Sequence, residues 1–258
     1  MTIHALVIGI GSGNPDHLTR EAVAALNRVD VFLVADKGAA KRDLVKLREE
    51  LCRTAITHDH YRFVEVLDPE RGPDCERSTM EYQSRVAVWH GARARRYAEI
   101  IAIEVADGGT VGFLVWGDPA FYDSTIRIVE AVRRLGVDLD LTVIPGLSSI
   151  QLLAARHKII LNRVSEPIHV TTGRRLLDEY SPHLGDVVVM LDGDLACGGL
   201  LDQFGDLTIY WGAQLGLPDE ALIAGRLSEV ISEIRAKRAA VRATRGWVMD
   251  IYLLRPRC

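Results

Sequence analysis

Ile3-His4-Ala5-Leu6-Val7-Ile8-Gly9-Ile10-Gly11-Ser12-Gly13-Asn14-Pro15-Asp16 is the stretch on which the fold turns. Its apolar part, Ile3 to Ile10, has the pattern of a strand buried on both faces, and it stops in a glycine-rich turn. A helix is expected next, because Leu18, Ala22, Ala25, Leu26 and Val29 recur at helical spacing, with the side chain of Asp16 or Thr19 as the N-cap oxygen.

Outward from this unit the same alternation continues. A second strand, Val31 to Ala35, ends at Asp36, and Ala40 to Leu51 reads as a helix. Phe63 to Val66 reads as a short strand, Asp68 to Asp74 as a surface loop, and Thr79 to Ala106 as a long helix. Thr110 to Trp116 is the most apolar strand of this half; Gly117-Asp118-Pro119 turns the chain into a helix from Ser124 to Leu135. A fifth strand, Leu141 to Ile144, is stopped by Pro145-Gly146. Strands separated by helical segments imply parallel pairing through long crossovers, hence an open parallel sheet.

After Gly146 the pattern changes to a helix at Ser149 to Arg156 and strands at Ile168 to Thr172, Val187 to Leu191, Leu207 to Trp211 and Trp247 to Leu254. Hairpin-like pairing is expected there, in a second domain with a mixed sheet. Arg235 to Arg245 reads as an exposed basic helix.

The chain has 258 residues, 48% of them apolar and 26% charged, enough for one large or two modest domains. A net charge of −4 disfavours a general nucleic-acid binder. Cys52, Cys75, Cys197 and Cys258 form no C-x-x-C pair, so reduced thiols are expected and neither a metal site nor a disulfide framework is suggested. No apolar run approaches the roughly 18 residues of a membrane span, and Met1-Thr2-Ile3-His4 lacks the basic region of a signal peptide. A cytoplasmic protein without membrane partners is the expectation.

Ligands of open parallel sheets bind outside the carboxyl ends of the strands. Three loops at such ends are unusual: Gly9 to Pro15, Gly117-Asp118-Pro119, and Pro145-Gly146-Leu147-Ser148-Ser149. Each has a plain structural reading. The first is a tight turn that lacks the third glycine of a dinucleotide fingerprint, since Asn14 stands in its place. Asp118 fits an Asx-turn, and Ser148 and Ser149 fit helix caps. Their convergence at one sheet edge is what favours a site.

Val7 to Thr19, Phe113 to Tyr122 and Val143 to Ser149 together resemble the tetrapyrrole methylases, the corrin and sirohaem methyltransferases, in order and spacing. The reading Gly11-Ser12-Gly13-Asn14-Pro15, where many members have G-P-G-D-P, is itself similar to one subgroup. The Ala35-Asp36-Lys37-Gly38 turn and the Tyr82 to Arg93 helix, with Trp89-His90, resemble the same members: those that methylate C-1 of precorrin-5 and release its acetyl group as acetate, in aerobic cobalamin biosynthesis. The resemblance implies an α/β fold of two domains, residues 1–146 with an open parallel five-stranded sheet and residues 147–258 with a mixed sheet, and an active-site cleft between them.

It also implies S-adenosyl-L-methionine as methyl donor, S-adenosyl-L-homocysteine as product, a small-molecule tetrapyrrole substrate and a homodimer. Carried over by motif, the cofactor contacts are Pro15, Trp116, Gly117, Asp118, Phe121, Ser148 and Ser149, with Leu191 or Asp192 and Gly212-Ala213 from the second domain. Deacetylation calls for a general base, for which Asp36 and His90 are candidates and Tyr82 and Glu81 secondary ones. For His90 a partly buried helix histidine is the competing reading. Substrate carboxylates would be met by arginines, Arg85 and Arg93 first, then Arg95, Arg96, Arg174 and Arg175. Three rival functions stay open: another tetrapyrrole or diphthamide methylase of the same fold, a non-catalytic corrinoid carrier, and a nucleotide-dependent oxidoreductase.

Overall fold

Ile3–Gly9 forms strand β1, and its side chains divide by parity as a pleated strand requires. Ile3, Ala5 and Val7 enter one core, Leu6 and Ile8 another. Burial on both faces marks a central strand of a sheet covered by helices. The structure, a computed structural model, describes residues 2–36, 42–69 and 79–257, and the side chains of residues 36, 42, 79 and 80 are outside that description. Most of the Asp68 to Asp74 loop, the Lys37-Gly38 part of the motif turn, Cys75 and Cys258 lie outside the described residues.

From β1 the chain alternates through α1 (Arg20–Leu26), β2 (Val31–Asp36), α2 (Arg42–Ala55), β3 (Arg62–Leu67), α3 (Thr79–Glu104), β4 (Gly109–Val115), α4 (Thr125–Arg134) and β5 (Leu139–Ile144). The five strands are all parallel, in the order β3-β2-β4-β1-β5. Helices α3 and α4 cover one face through Tyr97, Ile101, Ile128 and Val132; α1 and α2 cover the other through Ala25, Leu26, Leu51 and Cys52. Thr19, not Asp16, caps α1: its Oγ1 accepts from the Ala22 N–H at 2.9 Å.

The strand order reverses at β1 and β4. Strands β2 and β3 lie beyond β4, whereas β5 lies on the far side of β1. Such a switch point opens a crevice at the carboxyl ends of the two central strands. Helix α3 overhangs that edge. At about 1.5 Å per residue its 26 residues span about 39 Å, against roughly 23 Å for the seven residues of β4. Its later turns pack on the sheet, with Tyr97 and Phe113 ring centroids 5.3 Å apart, so its first turns reach past the strand ends.

The remaining elements are α5 (Ser149–His157), β6 (Ile168–Thr172), α6 (Gly173–Glu179), β7 (Asp186–Met190), α7 (Leu201–Phe204), β8 (Thr208–Ala213), β9 (Ala221–Arg226), α8 (Leu227–Arg245) and β10 (Asp250–Arg255). They form a mixed sheet, β6-β7-β10-β8-β9, in which only β6 and β7 are parallel. The chain divides into two units, Met1–Leu147 and Ser148–Cys258. Trp211 and Tyr252 are the largest fully buried side chains of the second unit, each burial worth about 1.5–3 kcal/mol or more.

Two expectations need correction. Strand β9 was not anticipated, because its short Ala-Leu-Ile-Ala-Gly-Arg run carries neither clean alternation nor a long apolar core. The basic segment Arg235 to Arg245 does belong to a helix, but Arg238 is buried: its Nε donates to Asp250 Oδ2 at 2.9 Å and its Nη2 to the Asp192 carbonyl at 2.9 Å. Trp211 Nε1 donates to the same Asp250 oxygen at 3.1 Å. Burial holds the Asp250 carboxyl above the ordinary range even beside that guanidinium. Among the described residues no helix is long and apolar enough to cross a membrane.

Candidate active site

Because β4, β1 and β5 are neighbours, the three motif loops leave the sheet side by side. They are also bonded to one another. The Gly117 N–H donates to the Gly11 carbonyl at 2.7 Å and the Gly11 N–H to the Gly117 carbonyl at 3.2 Å, an isolated antiparallel bridge joining the loops after β1 and β4. Asp118 joins the third: its Oδ2 accepts from the Gly146 N–H at 2.9 Å and its Oδ1 from the Ala120 N–H at 2.8 Å. The Asx-turn reading of Asp118 therefore holds, and the same carboxylate also ties two loops together instead of standing unbonded in the crevice.

The glycines are required by proximity. A Cβ on Gly146 would lie 2.2 Å from the Gly117 carbonyl oxygen, and one on Gly9 would lie 2.6 Å from the Gly146 nitrogen. Three backbones thus meet with no side chain between them, and loop-to-loop contact is what requires glycine at these positions.

Pro15 is exposed and opens a one-turn 3-10 segment, Pro15–His17, in which His17 Nδ1 is 2.7 Å from Ser12 Oγ. Phe121 is 39% exposed beside the Gly117-Asp118-Pro119 turn. Trp116 is half-buried with the Arg48 guanidinium 4.8 Å from its ring centroid. Ser148 is the N-cap of α5, where Gln151 Oε1 accepts from both its N–H at 2.8 Å and its hydroxyl at 2.5 Å, and Ser149 is the first residue of that helix. The capping reading of Ser148 is thus present in the structure.

Asp36 ends β2, in register with Leu67 of β3, which puts its backbone at the carboxyl edge; its side chain lies outside the description. Tyr82, Arg85, His90 and Arg93 lie along α3, the first three half-buried on its first turns. The His90 and Trp89 ring centroids are 5.3 Å apart, and Trp89 Nε1 donates to the Pro69 carbonyl at 3.0 Å. Arg93, the other arginine expected first for substrate carboxylates, is largely enclosed by protein. It is 7% exposed, its Nη2 is 2.9 Å from Asp68 Oδ2, and its guanidinium lies over the rings of Trp89 and Tyr97 at 4.5 and 5.9 Å.

In the second unit Leu191 and Asp192 differ in burial. Leu191 is 65% exposed with a left-handed backbone, φ +52°, while the Asp192 carboxylate is buried under hydrogen bonds from the Tyr252 hydroxyl at 2.5 Å and the Ala196 N–H at 2.7 Å. Gly212 and Ala213 are buried within β8, paired on both sides. A Cβ on Gly212 would lie 2.8 Å from Leu215 Cδ2 and 3.0 Å from Leu153 Cδ1.

Two residues escaped the sequence. Arg48 reads as one more charge on a charged helix, yet burial pulls its guanidinium down to about 10. Gln214, φ +53° and buried, has an Nε2 with no hydrogen-bond partner among the described residues. A left-handed non-glycine after Gly212-Ala213 leaves no mark that a reader of sequence could use. Among the described residues no group of three or more His, Cys, Asp or Glu is placed to hold a metal ion.

A parallel five-stranded sheet with bonded loops at its switch point, followed by a mixed-sheet unit, matches a known architecture. The sequence model of the Tetrapyrrole (Corrin/Porphyrin) Methylases fits residues 5–231, and the chain belongs to that family. It is 46% identical to a Sinorhizobium sp. precorrin-6A synthase [deacetylating] over 97% of this chain and 94% of that one. Among solved structures, one described as a cobalamin synthesis related protein (CobF) from Corynebacterium diphtheriae superposes with a TM-score of 0.82 at 36% identity, covering 99% of both chains. The fold is shared by a uroporphyrin-III C-methyltransferase from Thermus thermophilus, TM-score 0.60 at 18% identity, over 97% of this chain and 91% of that one.

Proposed function

We propose that this chain uses S-adenosylmethionine to methylate C-1 of precorrin-5, with the acetyl group leaving as acetate to give precorrin-6A. The observation that carries the reading is the 46% identity to a precorrin-6A synthase [deacetylating] along nearly the whole of both chains. The loops support it in physical terms. S-adenosylmethionine, when bound, supplies an already activated sulfonium methyl, so the protein's task is to position, exclude water and move a proton.

Main-chain groups of Gly117 and its neighbours, with Pro15, Trp116, Phe121, Ser148, Ser149 and the exposed Leu191, are the proposed cofactor contacts. Asp118 acts through the loops it ties. On the substrate side, water adds to the acetyl carbonyl after losing a proton to a base. The C–C bond then breaks, acetate departs, and the electron pair left on the macrocycle carbon takes the methyl group. Asp36, by its place at the strand edge, and His90, with Tyr82 on the overhanging turns of α3, are the proposed proton-handling groups. Arg85 is the proposed partner of a substrate carboxylate. A cytoplasmic homodimer completes the reading, and light scattering on the purified protein checks the dimer.

The test is calorimetric titration with S-adenosylmethionine and S-adenosylhomocysteine, wild type against Asp118→Ala. Both ligands bind the wild type saturably. The variant, losing two hydrogen bonds to a charged acceptor, binds about tenfold or more weakly. Wild-type protein with precorrin-5 then releases acetate and incorporates one methyl group. Absence of cofactor binding to the wild type would sink the methyltransferase reading.

A further inference from the structure

A cavity of about 170 Å³ lies inside the first unit, between the carboxyl halves of β2 and β4 and helices α2, α3 and α4. That volume holds several waters or a small polar group. Two cations line it, Arg48 from α2 and Arg93 from α3, together with Trp116 and Tyr97. The lining is rich in donors that lack acceptors. Arg93 Nε and Trp116 Nε1 are buried and find no hydrogen-bond partner among the described residues, and Arg93 as a residue is more than nine-tenths buried. Buried donors are nearly always satisfied, so two on one cavity call for an acceptor.

Arg48 sharpens the point. Its polar contacts are two carbonyls at the limit of hydrogen bonding, Leu114 O at 3.4 Å from Nε and Leu44 O at 3.3 Å from Nη1. No carboxylate among the described residues pairs with it. Its neighbour Asp123 is the one carboxylate among the described lining residues, and that group accepts from the Thr125 N–H at 2.6 Å at the start of α4. Arg93 has its own acid, Asp68, through Nη2. A half-buried guanidinium without a bonded counter-charge carries a desolvation cost, and its lowered pKa registers that cost. An incoming carboxylate would offset the cost, accept from the planar fork of Arg48, and supply the acceptor that Trp116 and Arg93 lack.

We propose that this cavity is a pocket for a small alkyl carboxylate, with Arg48 as its principal cation. The inference rests on the function proposed above for the source of that group: an acetate or propionate arm of the tetrapyrrole, or the acetate released from it.

The test needs neither cofactor nor tetrapyrrole, so its failure is separate from failure of the methyltransferase reading. Sodium acetate and sodium propionate are titrated into ¹⁵N-labelled protein at constant ionic strength, with sodium chloride as control. The indole N–H signal of Trp116, assigned with Trp116→Phe, shifts saturably with the carboxylates and not with chloride. In Arg48→Gln the affinity falls about tenfold or more. No saturable shift in the wild type, or an unchanged titration in Arg48→Gln, overturns the proposal. Should Arg48→Gln not fold, the wild-type thermal midpoint decides: a rise with acetate over chloride supports the pocket, and no rise overturns it. In turnover assays, inhibition by acetate that is relieved by more tetrapyrrole assigns the pocket to a substrate arm. Inhibition that persists at saturating tetrapyrrole assigns it to the released product.

Discussion

Each unit pairs a buried arginine with an acid, Arg93 with Asp68 in the first and Arg238 with Asp250 in the second, but the first adds Arg48, which no carboxylate among the described residues meets. In the second, buried Arg238 is bonded to Asp250, and half-buried Arg255 donates to Asp186 at 2.9 Å from Nη2. In the first, Arg48 is half-buried beside an aromatic ring and two distant carbonyls, with no bonded carboxylate among the described residues. Sheet topology separates the units in the same sense. The parallel sheet collects every strand's carboxyl end at one edge, and the mixed sheet scatters them. A guanidinium bonded to a carboxylate serves folding; one without a bonded acid, at the carboxyl edge of a parallel sheet, is open to completion by something else.

The largest expected effect breaks the paired side. Arg238→Met strands Asp250 in the interior, and urea unfolding should show a loss of about 3–5 kcal/mol. A loss below about 1 kcal/mol would mean that the network is no tighter than a surface pair. Next comes the loop junction. In Gly146→Ala the new methyl group collides with the Gly117 carbonyl, and steady-state methyl transfer should fall by about a hundredfold while circular dichroism stays native.

Arg48→Met sharpens the contrast from the other side. Removing a cation without a bonded acid relieves its desolvation and gives up about 0.5–1 kcal/mol of ring contact, so stability should stay level or rise by about 1 kcal/mol. A drop as large as that of Arg238→Met would equate the two arginines and end the comparison. The smallest effect is a predicted silence. Burial pushes the Cys52 and Cys197 thiols up to about 12, so both stay protonated at pH values well below that. Mass-spectrometric mapping should find neither alkylated in the native protein at pH 8.

Much of the first unit was legible because apolar runs such as Ile3 to Ile10 and Thr110 to Trp116 are bounded by glycine and proline, which announce where a buried strand stops. The three loops were legible as a set for the same reason. That the Asp118 carboxylate would reach the Gly146 N–H was not, since residues 28 apart in sequence meet only through strand order. Arg48 and Arg238 were opaque for a shared reason. Each sits in a charged helical stretch that looks solvated, and what buries it, Trp116 for one and Asp250 for the other, comes from a distant strand. Arg93 was chosen for its charge, correctly placed on α3, yet its acid, Asp68, hid in a stretch read as surface loop.

The bonds among Gly11, Gly117, Asp118 and Gly146 also bear on the entropy of association. Loops that must be immobilised when a ligand arrives subtract from affinity, each ordered segment taking its share of conformational freedom. Here the three segments are fastened to one another as part of the folded chain. A molecule settling on that edge meets a floor already set, and the freedom lost in setting it was surrendered during folding.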